Sequence, residues 1–341
     1  MIGPPPNLVF APLAFASALA LTPLLGRIAE GTGYLDHPDL RKHHAHPTPL
    51  LGGVAIGLSI VSALLLAKYV FQTTVSAPAP GIMLGAAISL VLGLIDDWRP
   101  MGPLGKLVGQ MAAAASLVLW GPRVEWLHDN PIVLATAIVA AVALLNAVNF
   151  LDAMDGIVGT VLPIIGAGFV ALAVLYHAPL ATALGWSIVG ACAGFLVYNA
   201  PPARIFLGDA GSHLLGFGLA TLALQALRDE PTLPHVASVA ILVAYPLFDV
   251  MFVMWDRSAR RKPIYVGGVD HTTHRLSRRW GAWPTLGLLA LLNVIHVALA
   301  LWVWGLSGPQ AVIPLVLIFG LGYAIFGVYL RRLSPTPKFD I

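Results

Sequence analysis

"PIVLATAIVAAVALLNAVNF", residues 131–150, runs twenty residues without a charged side chain, and "LDAMDG", residues 151–156, then places two carboxylates three positions apart. Twenty apolar residues wound as a helix are about 30 Å long, the thickness of the hydrocarbon core of a bilayer. Runs of the same kind recur along the chain at about 7–25, 51–71, 79–95, 103–120, 157–176, 179–198, 211–227, 235–254, 284–305 and 310–330. With 131–150 they make eleven expected spans, in a chain of 341 residues that is 58% hydrophobic, 10% charged and has a mean hydropathy of +0.83. The reading is an all-α, polytopic integral membrane protein forming one transmembrane domain over 1–341. The first run has no basic segment before it and is expected to be a retained span rather than a cleaved leader. Cys192 falls inside a run and, as the only cysteine, has no intrachain disulfide partner.

Charge sets the expected orientation. With the amino terminus outside and the carboxyl terminus in the cytoplasm, sixteen of the nineteen Lys and Arg residues fall on the inner face, leaving Lys68, Arg123 and Arg228 outside. The net charge of +3 is thus a topology signal and gives no reason to expect nucleic acid as a partner. In this orientation Asp96, Asp97, Asp152, Asp155 and Asp209 all emerge at the cytoplasmic face, in loops near 96–106, 150–157 and 199–211. Carboxylates at a membrane margin are costly to desolvate and read as functional.

Each inner segment adds chemistry. "DHPDLRKHHAHPTPLLGG", 36–53, within a loop near 26–50, offers Arg41, Lys42 and His44 to an anion, although a topogenic basic loop also accounts for the cations. "GLIDDWRPMGPLGKLVGQ", 93–110, sets the repelling pair Asp96 and Asp97 before Lys106 and Gln110, which share a helix face at i, i+4. Mg2+, which takes hard oxygen ligands and shares them with phosphates, would offset such a pair; acids capping the next helix are the alternative. Asn146, Asn149, Asp152 and Asp155 step by three along one slowly drifting stripe, with Gly156 as the expected helix stop. A packing seam or a transporter's ion path would also use such a stripe. Gly208, Asp209, Gly211 and Ser212 open a helix whose free amides suit phosphate, with Asp209 either capping that helix or ligating metal. The longest inner segment, near 255–283, carries "RKPIYVGGVDHTTHRL", where His271, His274 and Arg275 suit a diphosphate better than zinc, since no third ligand is near in sequence. A face touching anionic lipid is the plainer reading of its charge.

Six stretches in this order, "DHPDLRKHHAHPTPLLGG", "IDDW" with Lys106, "NAVNFLDAMDG", "FLGDAGS", "YPLFD" and "DHTTHRL", resemble the polyprenyl-phosphate N-acetylhexosamine-1-phosphate transferases, the WecA-, TagO- and MraY-like family. The resemblance spans residues 36–276. It implies transfer of a sugar 1-phosphate, most simply N-acetylglucosamine 1-phosphate, from a UDP-sugar to undecaprenyl or another polyprenyl phosphate in the inner leaflet, with release of UMP. It further implies Mg2+, or Mn2+ in its place, and the cytoplasmic membrane as location; a homodimer is one candidate assembly. Carried over by motif, Asp209 with Asp97 would hold the metal. Asp96 would deprotonate or orient the acceptor, and Asp97, Asn149, Asp152 and Asp155 would hold metal, nucleotide or sugar. Arg41, Lys42, His44 and Lys106 would lie near phosphates, and His271, His274 and Arg275 near the donor. Direct attack and a covalent aspartyl-phosphate are both open. Thr273 stands where many WecA-like members have histidine. "HTTHRL" also lacks the three-histidine run of the MraY branch, whose donor carries a peptide, so the simple-sugar branch is preferred. A cation-coupled transporter, the rival class, would carry mid-span carboxylates and an internal repeat, and the sequence presents neither convincingly.

Overall fold

The computed structural model describes residues 9–38, 46–73, 77–122, 124–229, 231–263, 268 and 270–333. Within them lie α1 (Phe10–Thr32), β1 (Leu35–Asp36), β2 (Thr48–Pro49), α2 (Gly52–Tyr69), α3 (Pro80–Trp98), α4 (Pro103–Trp120), α5 (Glu125–His128), α6 (Pro131–Leu151), α7 (Ile157–Leu175), α8 (Pro179–Asn199), α9 (Gly208–Ala226), α10 (Leu233–Leu242), α11 (Ala244–Ala259), α12 (Thr272–Trp280), α13 (Ala282–Trp304) and α14 (Pro309–Arg332). Proline opens α3, α4, α6, α8 and α14, where its missing N–H costs nothing.

Ten of the eleven apolar runs coincide with one helix each and the run at 235–254 with the pair α10 and α11, but fewer qualify as spans. Among the described residues eight helices are long and apolar enough to cross a membrane, or nine when α10 and α11, bent by 69° at their junction, are counted as one broken span. The shortfall from eleven is α4 and α9. Lys106 and Gln110 in one, and Asp209, Ser212 and His213 in the other, dilute their hydropathy, so apolarity alone does not identify them.

Boundaries also shift from the sequence reading. The third helix runs on to Trp98, so Asp96 and Asp97 stand on its last turn and not in the loop after it. The Asn/Asp stripe is helical only through Leu151; Gly156, at φ +76°, serves as the N-cap of α7 and not as the stop of α6. The expected loop near 255–283 contains a helix of its own, α12. The base of the first loop is closed by an antiparallel ladder pairing Leu35 with Pro49 and Asp36 with Thr48.

The helix that carries Asp209 is central, packing on α2, α3, α4, α6, α7 and α8. Two glycines allow this. A Cβ at Gly53 would collide with the backbone of Gly211, and one at Gly93 with the backbone of Asp209 and Ala210. The first turn of α9 is thereby pressed against α2 and α3. The segment before it is also pinned, since Phe206 N donates to Pro49 O (2.8 Å) and Gly53 N to Leu207 O (2.8 Å). At the opposite extreme α14 is peripheral, with Leu317 and Ile318 about two-thirds exposed.

Candidate active site

The ends of α3, α4, α6 and α9 bring five predicted residues into direct contact. Lys106 Nζ reaches Asp209 Oδ2 (2.6 Å) and pairs with Asp96, bridging the two carboxylates. Asp96 Oδ1 accepts from Met101 N (2.5 Å). Both oxygens of Asp97 accept main-chain amides of α9, Asp209 N at 2.8 Å and Ala210 N at 3.1 Å. The first turn of α9 is therefore capped by Asp97, from 112 residues earlier, and Asp209 is left to point its side chain elsewhere. Gly208, at φ +72°, makes room for this, as a side chain there would meet Asp97 Oδ2 and Leu50 O. Asn149 Nδ2 donates to Asp209 Oδ1 (2.7 Å) and Ser212 Oγ (2.9 Å).

Asp152 and Asp155 sit just past α6. Burial, and then the charges of Asp209, Asp97 and Asp155, hold the Asp152 carboxyl well above the usual carboxylate range. Asp155 Oδ2 accepts Ala203 N (2.9 Å), fastening the loop before α9. Among the described residues, no three acidic, histidine or cysteine side chains already converge as a metal cage. The donor set nevertheless fits a hard cation. Among the described residues the carboxyl groups of Asp96, Asp97, Asp152 and Asp209 outnumber the one ammonium that pairs with them, Lys106, which stands between Asp96 and Asp209 as a counter-ion.

The basic loop is arranged differently from the sequence reading. His271 Nδ1 donates to Asp249 Oδ2 (2.9 Å), and Asp249 Oδ1 accepts both Thr272 N (2.8 Å) and Thr272 Oγ1 (2.6 Å). Asp249 is wholly buried, and the His271 ring lies 5.6 Å from that of Phe150 on α6 and 5.7 Å from that of His274. Thus "YPLFD" and "DHTTHRL" form one unit beside the acidic helix ends. Arg275 departs from expectation. It is 2% exposed, its guanidinium donates to Asp256 Oδ2 (2.5 Å), Leu330 O and Asp270 O, and it stacks over Phe252. Those contacts turn it into the protein interior. Thr273 is also fully buried. Asp270 is forked by Arg257 at 2.7 and 2.8 Å; burial acts to raise its carboxyl, but the guanidinium outweighs it and holds it below the usual range. Arg41, Lys42 and His44 lie outside the described residues.

Several participants are absent from the sequence reading. Tyr34 donates to Leu94 O (2.7 Å) and stacks on Trp98, and its hydroxyl is pushed upward by burial and by Asp97, Asp209 and Asp96. In the sequence Asp249 shows only as part of a motif, and His213 and Asp256 give no signal, because the partners that reveal them, Gln110 and Arg275, lie 103 and 19 residues away.

Comparison with known proteins gives a consistent result. Residues 79–227 match the profile of glycosyl transferase family 4. The chain is 28% identical over 305 residues to a probable undecaprenyl-phosphate N-acetylglucosaminyl 1-phosphate transferase of Bacillus subtilis, covering 86% of this chain and 82% of that protein. It is 30% identical over 292 residues to a decaprenyl-phosphate N-acetylglucosaminephosphotransferase of Mycobacterium tuberculosis, covering 73% of this chain and 70% of the other. An undecaprenyl-phosphate alpha-N-acetylglucosaminyl 1-phosphate transferase of Thermotoga maritima is 27% identical over 292 residues, 82% of this chain and 86% of that one.

Proposed function

This chain belongs to glycosyl transferase family 4, and from that premise we propose that it transfers N-acetylglucosamine 1-phosphate from UDP-N-acetylglucosamine to undecaprenyl phosphate, releasing UMP. The observation that carries the reading is the convergence of Asp96, Asp97, Lys106, Asn149 and Asp209 at one end of the helix bundle. That end faces the cytoplasm, where a soluble nucleotide donor meets the phosphate of a lipid in the inner leaflet. The muramoyl-pentapeptide branch is less favoured, because "HTTHRL" lacks its run of three histidines and the relatives compared above are named for N-acetylglucosamine.

The chemistry divides among the chain's own groups. An acceptor phosphate oxygen attacks the donor's β-phosphorus, the bond from that phosphorus to the oxygen of the UMP phosphate breaks, and one phosphoanhydride replaces another. Asp96 orients the acceptor and takes its proton if it arrives protonated. The Lys106 ammonium neutralises charge on phosphate, and His271, held in one tautomer by Asp249, faces the donor with His274 beside it. Asp209, with Asp97 and Asn149 around it, would hold Mg2+, which supplies Lewis-acid stabilisation of phosphoryl oxygens when bound. Direct transfer is supported over an aspartyl-phosphate. Asp97 has both oxygens committed to backbone amides, and Asp96 is held by Met101 N and Lys106, so neither is poised as a nucleophile.

The test is reconstitution. Purified protein in liposomes with undecaprenyl phosphate, Mg2+ and a panel of UDP-sugars should give a lipid whose mass equals that of undecaprenyl-diphospho-N-acetylhexosamine, and excess UMP should reverse its formation. Asp209→Asn should lose most turnover while inserting and melting like the parent. No lipid product from any donor would overturn the reading.

A further inference from the structure

One helical turn deeper than Lys106, Asn149 and Asp209 lies a second polar layer, drawn from the same three helices. Gln110 follows Lys106 by four residues, Asn146 precedes Asn149 by three, and His213 follows Asp209 by four. Gln110 and His213 are 2% and 0% exposed. Asn146 Nδ2 meets Val142 O (3.0 Å) and Gln110 Oε1 (2.8 Å), Gln110 Nε2 meets Asn146 Oδ1 (3.1 Å) and His213 Nε2 (3.0 Å), and His213 Nδ1 meets Asp209 O (2.7 Å).

The polarity of this chain is fixed from both ends by carbonyls, which only accept. Val142 O requires the NH2 of Asn146 to face it, so the Gln110 atom on that NH2 must be the oxygen. The Gln110 NH2 is then forced toward His213 Nε2, which must accept. Asp209 O independently requires the proton of His213 to sit on Nδ1. Two unrelated constraints therefore agree on one state, a neutral imidazole protonated at Nδ1. An imidazolium would set N–H against N–H.

We infer that His213, with Gln110 and Asn146, is a positioning residue for the transfer reaction proposed above, a neutral clamp that locks α4, α6 and α9 in the register that brings Lys106, Asn149 and Asp209 together. It touches no substrate and acts through the residues one turn above it. Gln110 and His213 are buried, so loss of the bond between them leaves a buried polar atom without its partner.

Solid-state 15N NMR of histidine-labelled protein in liposomes, with the His213→Asn spectrum subtracted, reads the imidazole directly. The expected difference signal is a neutral ring with a bare Nε2. An imidazolium, or a proton on Nε2, overturns the inference. Kinetics test the positioning role. His213→Leu and Gln110→Leu should each lower kcat about 10- to 100-fold while leaving the UDP-sugar KM within about twofold. The double variant should be no worse than the poorer single one, and additive losses would deny a shared clamp. His213→Asn keeps a donor near the Nδ1 position and should recover part of the lost kcat. It also keeps the kinetic arm alive if the leucine variants do not fold, and a His213→Asn enzyme no faster than a folded leucine variant, or one at full wild-type rate, overturns the role. An inactive wild type would sink the transfer reading alone, because the tautomer is read with no substrate present.

Discussion

Asp97 and Asp152 are both aspartates at helix ends, yet their surroundings assign them opposite duties. Asp97 gives both oxygens to the amides of α9, whereas burial and three like charges make the Asp152 carboxyl hold its proton well above the usual range. In the interval between the ordinary carboxylate pKa and the raised one, the folded chain binds more protons than the unfolded chain, so stability falls as pH rises through it. Asp152→Asn abolishes that loss. In metal-free buffer the variant should melt at a higher temperature than the parent at neutral pH, and its melting temperature should vary less from about pH 4 upward. It should also be a poorer enzyme, since a charge that weakens the fold is kept for the reaction. Equal melting curves at neutral pH would count against this account of Asp152. The presence of carboxylates at these positions was legible in the sequence, because an ionisable group closing an apolar run is conspicuous. The cap that Asp97 forms was not, since its partners lie 112 and 113 residues away.

At the scale of elements, α12 shows what a reading of charge misses. Its nine residues contain Arg275, Arg278 and Arg279, and a basic stretch at a membrane face suggests contact with an anion. In the structure Arg275 ties three elements together, since it pairs with Asp256 on α11, donates to Leu330 O on α14 and lies within α12. Arg275→Ala takes from the buried Asp256 its closest cation but leaves it Arg260 at 3.0 Å and Arg331 at 3.3 Å, so the cost should be about 1–3 kcal/mol of stability. The UDP-sugar KM of the folded fraction should stay near that of the parent. A stable variant with a selectively raised donor KM would restore Arg275 to the substrate site. The long helices were legible because twenty apolar residues have few other fates. A nine-residue helix with few apolar positions has no such signature, and neither has the two-residue ladder of β1 and β2.

For the whole molecule, the acidic motifs and the His271 unit gather at one end of the bundle, and the orientation proposed from the charge bias of the sequence turns that end toward the cytoplasm. Cysteines placed at Arg99 and Arg279 should react with an impermeant thiol reagent only from the cytoplasmic side, and one at Asp129 only from the other. Cys192 is buried and should stay silent. Labelling of Arg99→Cys from outside would reverse the assignment. The number of spans was the least legible global property, because two of the four helices that line the site, α4 and α9, carry polar groups that dilute their apolarity, while α3 and α6 bring theirs only at the end of a long apolar run. The Lys106 ammonium between Asp96 and Asp209 has a consequence for assembly of the living protein. A cage of bare carboxylates would need its metal before it could close, as a keystone is needed before an arch. Here the chain brings its own provisional keystone on a flexible stem, so the bundle closes on its own charges, and the Mg2+ proposed for this site would be needed for turnover and not for folding.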